Sequence, residues 1–392
     1  MKTLLEIILL TFATYLALSG IYQLVLALAS LSLEKRPKAS SNGFAKFLIL
    51  VPAYKEDAII KYSVGKNMSA RYEYPRESFD LVVIADQLQE ETKVELKRIG
   101  ALVHNVSFEK STKVKSLQSA MEKYSKGYDA VIILDADNVM EQGFLFQANQ
   151  WIQSGARAIQ GLRRAANANT STALMDGLSE TANTEMLCKG ANKLGLSSKL
   201  SGSAMVFDFE LFRQTIHQCK AIGGFDKEIE LSLTRKGEFI HYCSEMAVLD
   251  QKTSSTKAFT RQRGRWIEAQ YSFFKKSLGE SLRYLAKGNV DFFHKVMQLA
   301  LPPRAVAPFA MILILWLGWL LGADLISIVA LIAFFSLTLS YVLVLPTKDL
   351  KSHSVKIAIG IPQIGWAAFK ALWLMSKSKQ EFIHTQHELI EA

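Results

Sequence analysis

Ala130-Val-Ile-Ile-Leu-Asp-Ala-Asp-Asn-Val139 runs an apolar stretch straight into two aspartates separated by one alanine. A short continuous apolar run of this kind fits a strand buried on both faces, the habit of strands in parallel sheets. Phe47 to Val51, Leu81 to Ala85 and Leu102 to Val106 share its character, and amphipathic stretches such as Lys113 to Tyr124 lie between the runs. This alternation predicts an α/β domain built on a largely parallel sheet. In such sheets ligands bind beyond the carboxyl ends of the strands, so the polar residues there carry the functional reading.

Those ends are acidic. The first run leads into Val51-Pro-Ala-Tyr-Lys-Glu-Asp57, the second into Asp86, and the fourth into Asp135-Ala-Asp137. One carboxylate after a strand is ordinarily a helix cap or an Asx turn. Several gathered at one sheet edge repel each other, and a bound cation is the simplest remedy. Asp135 and Asp137 are hard oxygen ligands suited to Mg²⁺ or Mn²⁺, which also bind the oxygens of a diphosphate. The sequence has no Gly-x-x-x-x-Gly-Lys-Ser/Thr loop and no Gly-x-Gly-x-x-Gly after a strand, so neither an ATPase loop nor a dinucleotide site is supported.

The chain has 392 residues, 49% of them hydrophobic, and its 46 basic against 36 acidic residues give a net charge of +10. The apolar residues pile up at the two ends, and basic residues largely flank those runs rather than forming an aromatic-interleaved patch; nucleic acid is not an expected partner. Cys188, Cys219 and Cys243 make an odd count with no Cys-x-x-Cys spacing, which predicts free thiols in a reducing compartment. Leu4 to Leu33 exceeds the ~20 residues a helix needs to cross a bilayer and is about twice the apolar core of a signal peptide. Residues 1–34 therefore read as a transmembrane anchor. Glu34-Lys-Arg-Pro-Lys38 follows it, placing this flank and the domain behind it in the cytoplasm. Ala305 to Gly322 and Leu325 to Leu345 read as a hairpin of two spanning helices within 301–346, with Lys348 and Lys351 returning to the cytoplasm. Val355 to Met375 is interrupted by Lys356, Pro362, Gln363 and Lys370; within 354–376 a helix lying in the interface is favoured over a third C-terminal span.

In this order the motifs resemble the family 2 glycosyltransferases, and within them the membrane-bound branch of cellulose, chitin and hyaluronan synthases. The resemblance implies a cytoplasmic GT-A catalytic domain, Rossmann-like, over residues 44–260, with N- and C-terminal transmembrane and interfacial helices. Pro52, Ala53, Tyr54 and Glu56 then belong to the nucleotide-sugar loop, and Asp86 matches the aspartate facing uracil. Asp135-Ala-Asp137 is similar to the Asp-x-Asp signature that holds a divalent metal on the diphosphate, with Lys113 among the donor-binding residues. Gly195 to Phe207, with Gly202 and Ser203, looks like the acceptor-side segment. Gly223 to Leu233 resembles the block of the catalytic base: alignment on Glu230-Leu231 puts Glu228 at the base position, where the family has Asp, and Asp226 is its rival.

Arg261-Gln-Arg-Gly-Arg-Trp266 matches the Gln-(Gln/Arg)-x-Arg-Trp signature at Gln262, Arg263, Arg265 and Trp266, within interface helices over 261–300. Arg265 suits a leaving diphosphate and Trp266 an acceptor sugar face. Phe382-Ile-His-Thr-Gln-His387 is similar to the gating loop of cellulose synthases in a cytoplasmic tail over 377–392, with Phe382, Thr385 and His387 at its contact positions. The implied activity is inverting, processive β-glycosyl transfer from a UDP-sugar to a growing polysaccharide at the cytoplasmic membrane. A single transfer to a lipid-linked acceptor is the alternative within the same chemistry, and a catalytically silent nucleotide-binding membrane subunit is the alternative outside it. Membrane lipids are expected partners, and oligomerisation is left open.

Overall fold

The computed structural model describes residues 2–34, 37, 43–69 and 74–375. Its centre is one eight-stranded sheet: β1 Phe47–Tyr54, β2 Phe79–Asp86, β3 Leu102–Val106, β4 Ala130–Ile133, β5 Val139–Met140, β6 Ala158–Ala165, β7 Met205–Asp208 and β8 His241–Asp250, in the order β3-β2-β1-β4-β7-β6-β8-β5. The four runs predicted from sequence are β1 to β4, and they pair in parallel, with Phe47 opposite both Phe79 and Ala130. β7 then enters antiparallel to β4 and β6, and β6 and β8 run parallel to each other. The sheet is mixed α/β in the Rossmann manner and mostly parallel.

The period-2 alternation of β1 divides the core. Phe47, Ile49 and Val51 pack on one face with Val83, Ile132 and Trp151; Leu48 and Leu50 pack on the other with Val82, Ile133, Phe207 and Phe212. Burial on both faces explains why these strands lack polar alternation. The register aligns the carboxyl ends, so Tyr54 lies opposite Asp86. Immediately beyond, Lys55 (φ 56°) and Gln87 (φ 58°) adopt the left-handed conformation, which costs about 1–3 kcal/mol at a non-glycine residue and marks a turn held by its surroundings.

The apolar ends form helices. Lys2–Ser30 and Asp324–Val344 are long and apolar enough to cross a membrane, whereas Ala307–Leu320, with 14 residues, is shorter than the ~20 needed. Gly20 lets Lys2–Ser30 lie against the backbone of Ala333 and Leu337. The same helix is tied to the rest of the chain: Gly190, in the wide π-helical turn Thr184–Gly190, abuts the Leu26 carbonyl, and Tyr22 Oη hydrogen-bonds Nε2 of His294, on the helix Val290–Gln298, at 2.7 Å.

The Gln-Arg signature lies on the long helix Thr256–Ala286. Ser354–Met375 packs on this helix, joining Ile364 and Ala367 to Phe259, while Trp366, Phe369 and Trp373 stay exposed along its outer side. The Lys35, Arg36 and Lys38 flank and the tail motif of Phe382, Thr385 and His387 lie outside the described residues. All three cysteines are free and buried.

Candidate active site

The strand ends open on a cavity of about 540 Å³. Pro52, Ala53, Tyr54 and Glu56 line it from the end of β1, Asp86 from β2, and Asp135 and Asp137 from the loop after β4. Asp86 is 1% exposed, and among the described residues neither carboxylate oxygen has a partner that meets hydrogen-bond geometry. Burial raises its pKa above the usual aspartate value. A buried acceptor pair facing a cavity is matched by a ligand that brings its own N–H donors.

The two aspartates do not act alone. Asp250, the last residue of β8, brings a third carboxylate, and one oxygen from each of Asp135, Asp137 and Asp250 lies within 4.8 Å of the others. Asp137 and Asp250 are buried. Three hard oxygen donors converging at a cavity wall form a site for a divalent cation.

The surrounding residues hold that geometry. Asn138 Nδ2 donates to Asp137 Oδ1 at 3.1 Å and to Asp250 Oδ1 at 2.9 Å. The Gln251 amide donates to Asp137 Oδ2 at 3.1 Å. Lys113 Nζ pairs with Asp135 and donates to the Gly202 carbonyl at 2.8 Å, joining the carboxylate cluster to segment 201–203. Behind Asp250 stand Arg163 at 2.7 Å and Lys252 at 2.5 Å, and Glu180 contacts both cations. Burial alone would push the Asp250 carboxyl up; Arg163 and Lys252 outweigh it and hold Asp250 well below the usual carboxylate range. Arg163 and Lys252 thus favour the anionic form of Asp250.

Segment 201–203 is fixed from beneath. Gln160 Oε1 accepts from the Ser201 amide at 2.9 Å and its Nε2 donates to the Ser203 carbonyl at 2.9 Å. Ser203 is fully buried: its hydroxyl accepts from the Asp135 amide at 2.9 Å and donates to Asn138. It supports the aspartate loop, and the surface offered to the cavity comes from Ser201 and Gly202. Gly202 adopts φ 84°, where a side chain would be strained and would face Phe225.

The helix Phe225–Arg235 separates the two base candidates. Asp226 lines the cavity, its side chain 15% exposed and 3.4 Å from Lys227 Nζ. Glu228 is turned away from it: Oε2 accepts from the backbone amides of Lys220 at 3.0 Å and Ala221 at 2.8 Å. Among the described residues, the lining includes Asp226, Lys227 and Glu230 but not Glu228. Two residues of helix, a rotation of about 200°, account for the difference.

Gln262, Arg263, Arg265 and Trp266 all line the cavity. Arg263 pairs with Asp176 and lies over the rings of Trp266 at 4.5 Å and Phe259 at 4.8 Å, so it holds the signature helix to the Ser171–Asn183 helix. Trp266 remains 39% exposed. Sequence reading missed Asp250 and its buttress of Arg163, Glu180 and Lys252. The apolar run of Met246-Ala-Val-Leu249 into Asp250 was the available signal, the same pattern as at Asp135.

Solved structures are similar to this chain at low sequence identity. The mannosyltransferase PcManGT from Pyrobaculum calidifontis, in complex with GDP-Man and Mn²⁺, superposes with a TM-score of 0.54 at 15% identity, covering 96% of this chain and 99% of that one. Glucosyl-3-phosphoglycerate synthase from Mycobacterium tuberculosis, in complex with Mn²⁺, UDP-glucose and phosphoglyceric acid, gives 0.41 at 15% identity over 57% of this chain and 78% of that one. S. aureus TarS 1-349 with UDP-GlcNAc gives 0.39 at 14% identity over 73% and 90%. No curated protein matches the sequence. Residues 45–269, more than half of the chain and the whole of the site's sheet, match the glycosyltransferase like family 2, and the chain belongs to that family.

Proposed function

We propose that the chain is an inverting glycosyltransferase acting at the cytoplasmic face of a membrane, with a nucleoside diphosphate sugar as donor and a β-glycosidic product. One observation carries the reading: Asp86, the three-aspartate cluster, Asp226 and Arg265 all line a single cavity. Lys2–Ser30 is taken to span the membrane, and Ala307–Leu320 and Asp324–Val344 to cross it and return as a hairpin, which keeps Ser354–Met375 on the same face as the sheet. Ser354–Met375, packed on the signature helix with tryptophans on its outer side, is taken to lie in the interface.

The unpartnered Asp86 carboxylate binds the base, and the N–H donor of a uracil ring suits it. Asp135, Asp137 and Asp250 would hold Mn²⁺ or Mg²⁺. When bound, the cation supplies charge neutralisation to the donor diphosphate. Lys113 keeps Asp135 and the Gly202 carbonyl in register, so the sugar sits between the metal loop and the acceptor segment. Asp226, rather than Glu228, takes the proton of the attacking hydroxyl, because only Asp226 reaches the cavity. The acceptor oxygen forms its bond to the anomeric carbon on the face opposite the leaving diphosphate, which departs with the bonding electrons toward Arg265.

The product is a glycan extended by one or more sugars, or a glycosylated lipid-linked acceptor. Polymer elongation is supported by Trp266, whose exposed indole at the cavity wall offers a stacking platform for a sugar. The test is incubation of the purified full chain with Mn²⁺ and, in turn, UDP-glucose, UDP-N-acetylglucosamine, UDP-galactose, UDP-glucuronate and GDP-mannose. Nucleoside diphosphate release, product size and anomeric configuration are scored together. An α-linked product refutes inversion, and absence of alkali-stable polymer refutes elongation.

A further inference from the structure

The cavity continues beyond the donor site into a different environment. Part of its lining is apolar, contributed by Phe259 and Ile267 of the signature helix and Ile364 and Ala368 of Ser354–Met375. Pro302, Pro303 and Arg304 close it from the segment that leads into the helix Ala307–Leu320. Hydrocarbon fits such a wall, and the helices around it connect it to the apolar ends of the chain.

Where the polar and apolar parts meet, cations outnumber their partners. Lys199 and Arg304 both line the cavity, and among the described residues neither forms an ion pair with a carboxylate. Arg304 Nη1 is buried and has no hydrogen-bond partner among the described residues. Burial lowers the Lys199 ammonium to about 8, and the charges of Lys227 and Arg304 push it the same way. Asp226 and Glu230 are carboxylates that act on Lys199, and they are paired with Lys227 and Lys295 respectively. A guanidinium and an ammonium left unpaired in one cavity call for an anion with several oxygens.

We infer that the acceptor is an anionic amphiphile: a phosphate in its headgroup docks between Lys199 and Arg304, and its chain leaves along Phe259, Ile267, Ile364 and Ala368 toward the membrane. The inference rests on the glycosyltransferase reading of the site and names its acceptor class. The headgroup hydroxyl meets Asp226. Its oxygen bonds to the anomeric carbon as the bond from that carbon to the donor diphosphate breaks; the electron pair leaves with the nucleoside diphosphate and the proton passes to Asp226.

The experiment uses the full chain purified in detergent, with radiolabelled geranylgeranyl monophosphate as the probe. Geranylgeraniol and inorganic phosphate are the comparison arms, and Mn²⁺–UDP binding is measured separately. Saturable binding of the monophosphate is expected, weakened about tenfold or more for the alcohol and in both Arg304→Gln and Lys199→Gln. Arg304→Lys recovers part of the loss, and Mn²⁺–UDP affinity in the variants shows that they fold. Equal binding of the alcohol overturns the inference, as does displacement by inorganic phosphate at matched concentration, which would mark a site for a soluble phosphate ester. Variants that lose Mn²⁺–UDP but keep the lipid also overturn it, by assigning the cations to the donor. Wild-type protein that binds the lipid but never Mn²⁺–UDP leaves the lipid site standing and refutes the donor-site reading instead.

Discussion

Asn138 Nδ2 donates to Asp250 Oδ1 at 2.9 Å, and through this bond the loop after β4 is fastened to the end of β8. The same amide holds Asp137 at 3.1 Å, so two of the three clustered carboxylates are positioned by one side chain that is itself fully buried. Mn²⁺ affinity therefore depends on Asn138 as well as on the aspartates. Asn138→Ala is expected to lower it by about 10–100-fold, the usual effect of removing a group that orients metal ligands. Calorimetric titration of Mn²⁺ in the presence of UDP measures the change, and an affinity equal to wild type would count against the cluster as a metal site.

Asp250 has a double role, and its replacement has two signatures. Asp250→Asn removes a hard anionic ligand and also leaves Arg163 and Lys252 with only Glu180 between them. Breaking a buried pair by removing one partner costs on the order of 3 kcal/mol or more. The variant is therefore expected to melt earlier even without metal and to lose Mn²⁺ binding. Asp137→Ala, which leaves the pairs of Asp250 with Arg163 and Lys252 in place, is expected to lose metal binding with a smaller fall in melting temperature, and the contrast between the two is the measurement.

Much of this site was legible in the sequence because strand ends in a parallel sheet necessarily share an edge. Asp86 and Asp135 could be brought together from the apolar runs before them, with no knowledge of side-chain contacts. Asp250 could not, because β8 joins the sheet by pairing with β6 and with the two-residue β5, and that crossover has no local signal. The base assignment turned on something finer. A helix rotates about 100° per residue, so an alignment that places Glu228 on the base position says nothing of whether its carboxylate faces the cavity. In the structure Asp226 does, while Glu228 satisfies the Lys220 and Ala221 amides. The Lys199 and Arg304 pair was hidden for a related reason: 105 residues separate them, and only the packing of the membrane-side helices brings them to one cavity.

Turnover of Asp226→Asn and Glu228→Gln distinguishes the two base candidates. Loss of a general base commonly costs about 10²–10⁴-fold, and that loss is expected in kcat for Asp226→Asn with Mn²⁺–UDP affinity retained. Glu228→Gln keeps an oxygen that can accept from the two amides, so its turnover is expected within about threefold of wild type and its stability within about 0.5 kcal/mol. The reverse ranking would return the base to Glu228.

Asp86 predicts a pH-dependent stability of definite sign. Burial raises its folded-state pKa above the unfolded value, so the folded protein holds this proton more tightly than the unfolded chain does. Stability from this group is therefore greatest below the usual aspartate pKa and declines as pH rises through the raised folded value. Asp86→Asn removes the charge and the penalty together. In nucleotide-free protein the variant is expected to melt higher than wild type at pH 7.5, with the gap closing toward pH 4, while its affinity for UDP falls. A gap that widens on acidification would mean that Asp86 is stabilised as an anion by a partner.

Gly190 tests whether the N-terminal helix is part of the working enzyme or only its tether. A methyl group there would sit on the Leu26 carbonyl, a backbone atom that no side-chain rotation can move. Gly190→Ala must push the helix Lys2–Ser30 off the π-helical turn Thr184–Gly190, and overpacking of this kind costs about 1–3 kcal/mol. That turn continues the Ser171–Asn183 helix, whose Asp176 receives Arg263 from the signature helix. The strain therefore has a direct route to the cavity wall. A lowered melting temperature in detergent with a fall in kcat is the expected result, and the distant substitution Gly65→Ala, where the added methyl meets open space, is expected to leave kcat unchanged. If Gly190→Ala lowers the melting temperature but leaves kcat at the wild-type value, the helix anchors the enzyme without shaping its site.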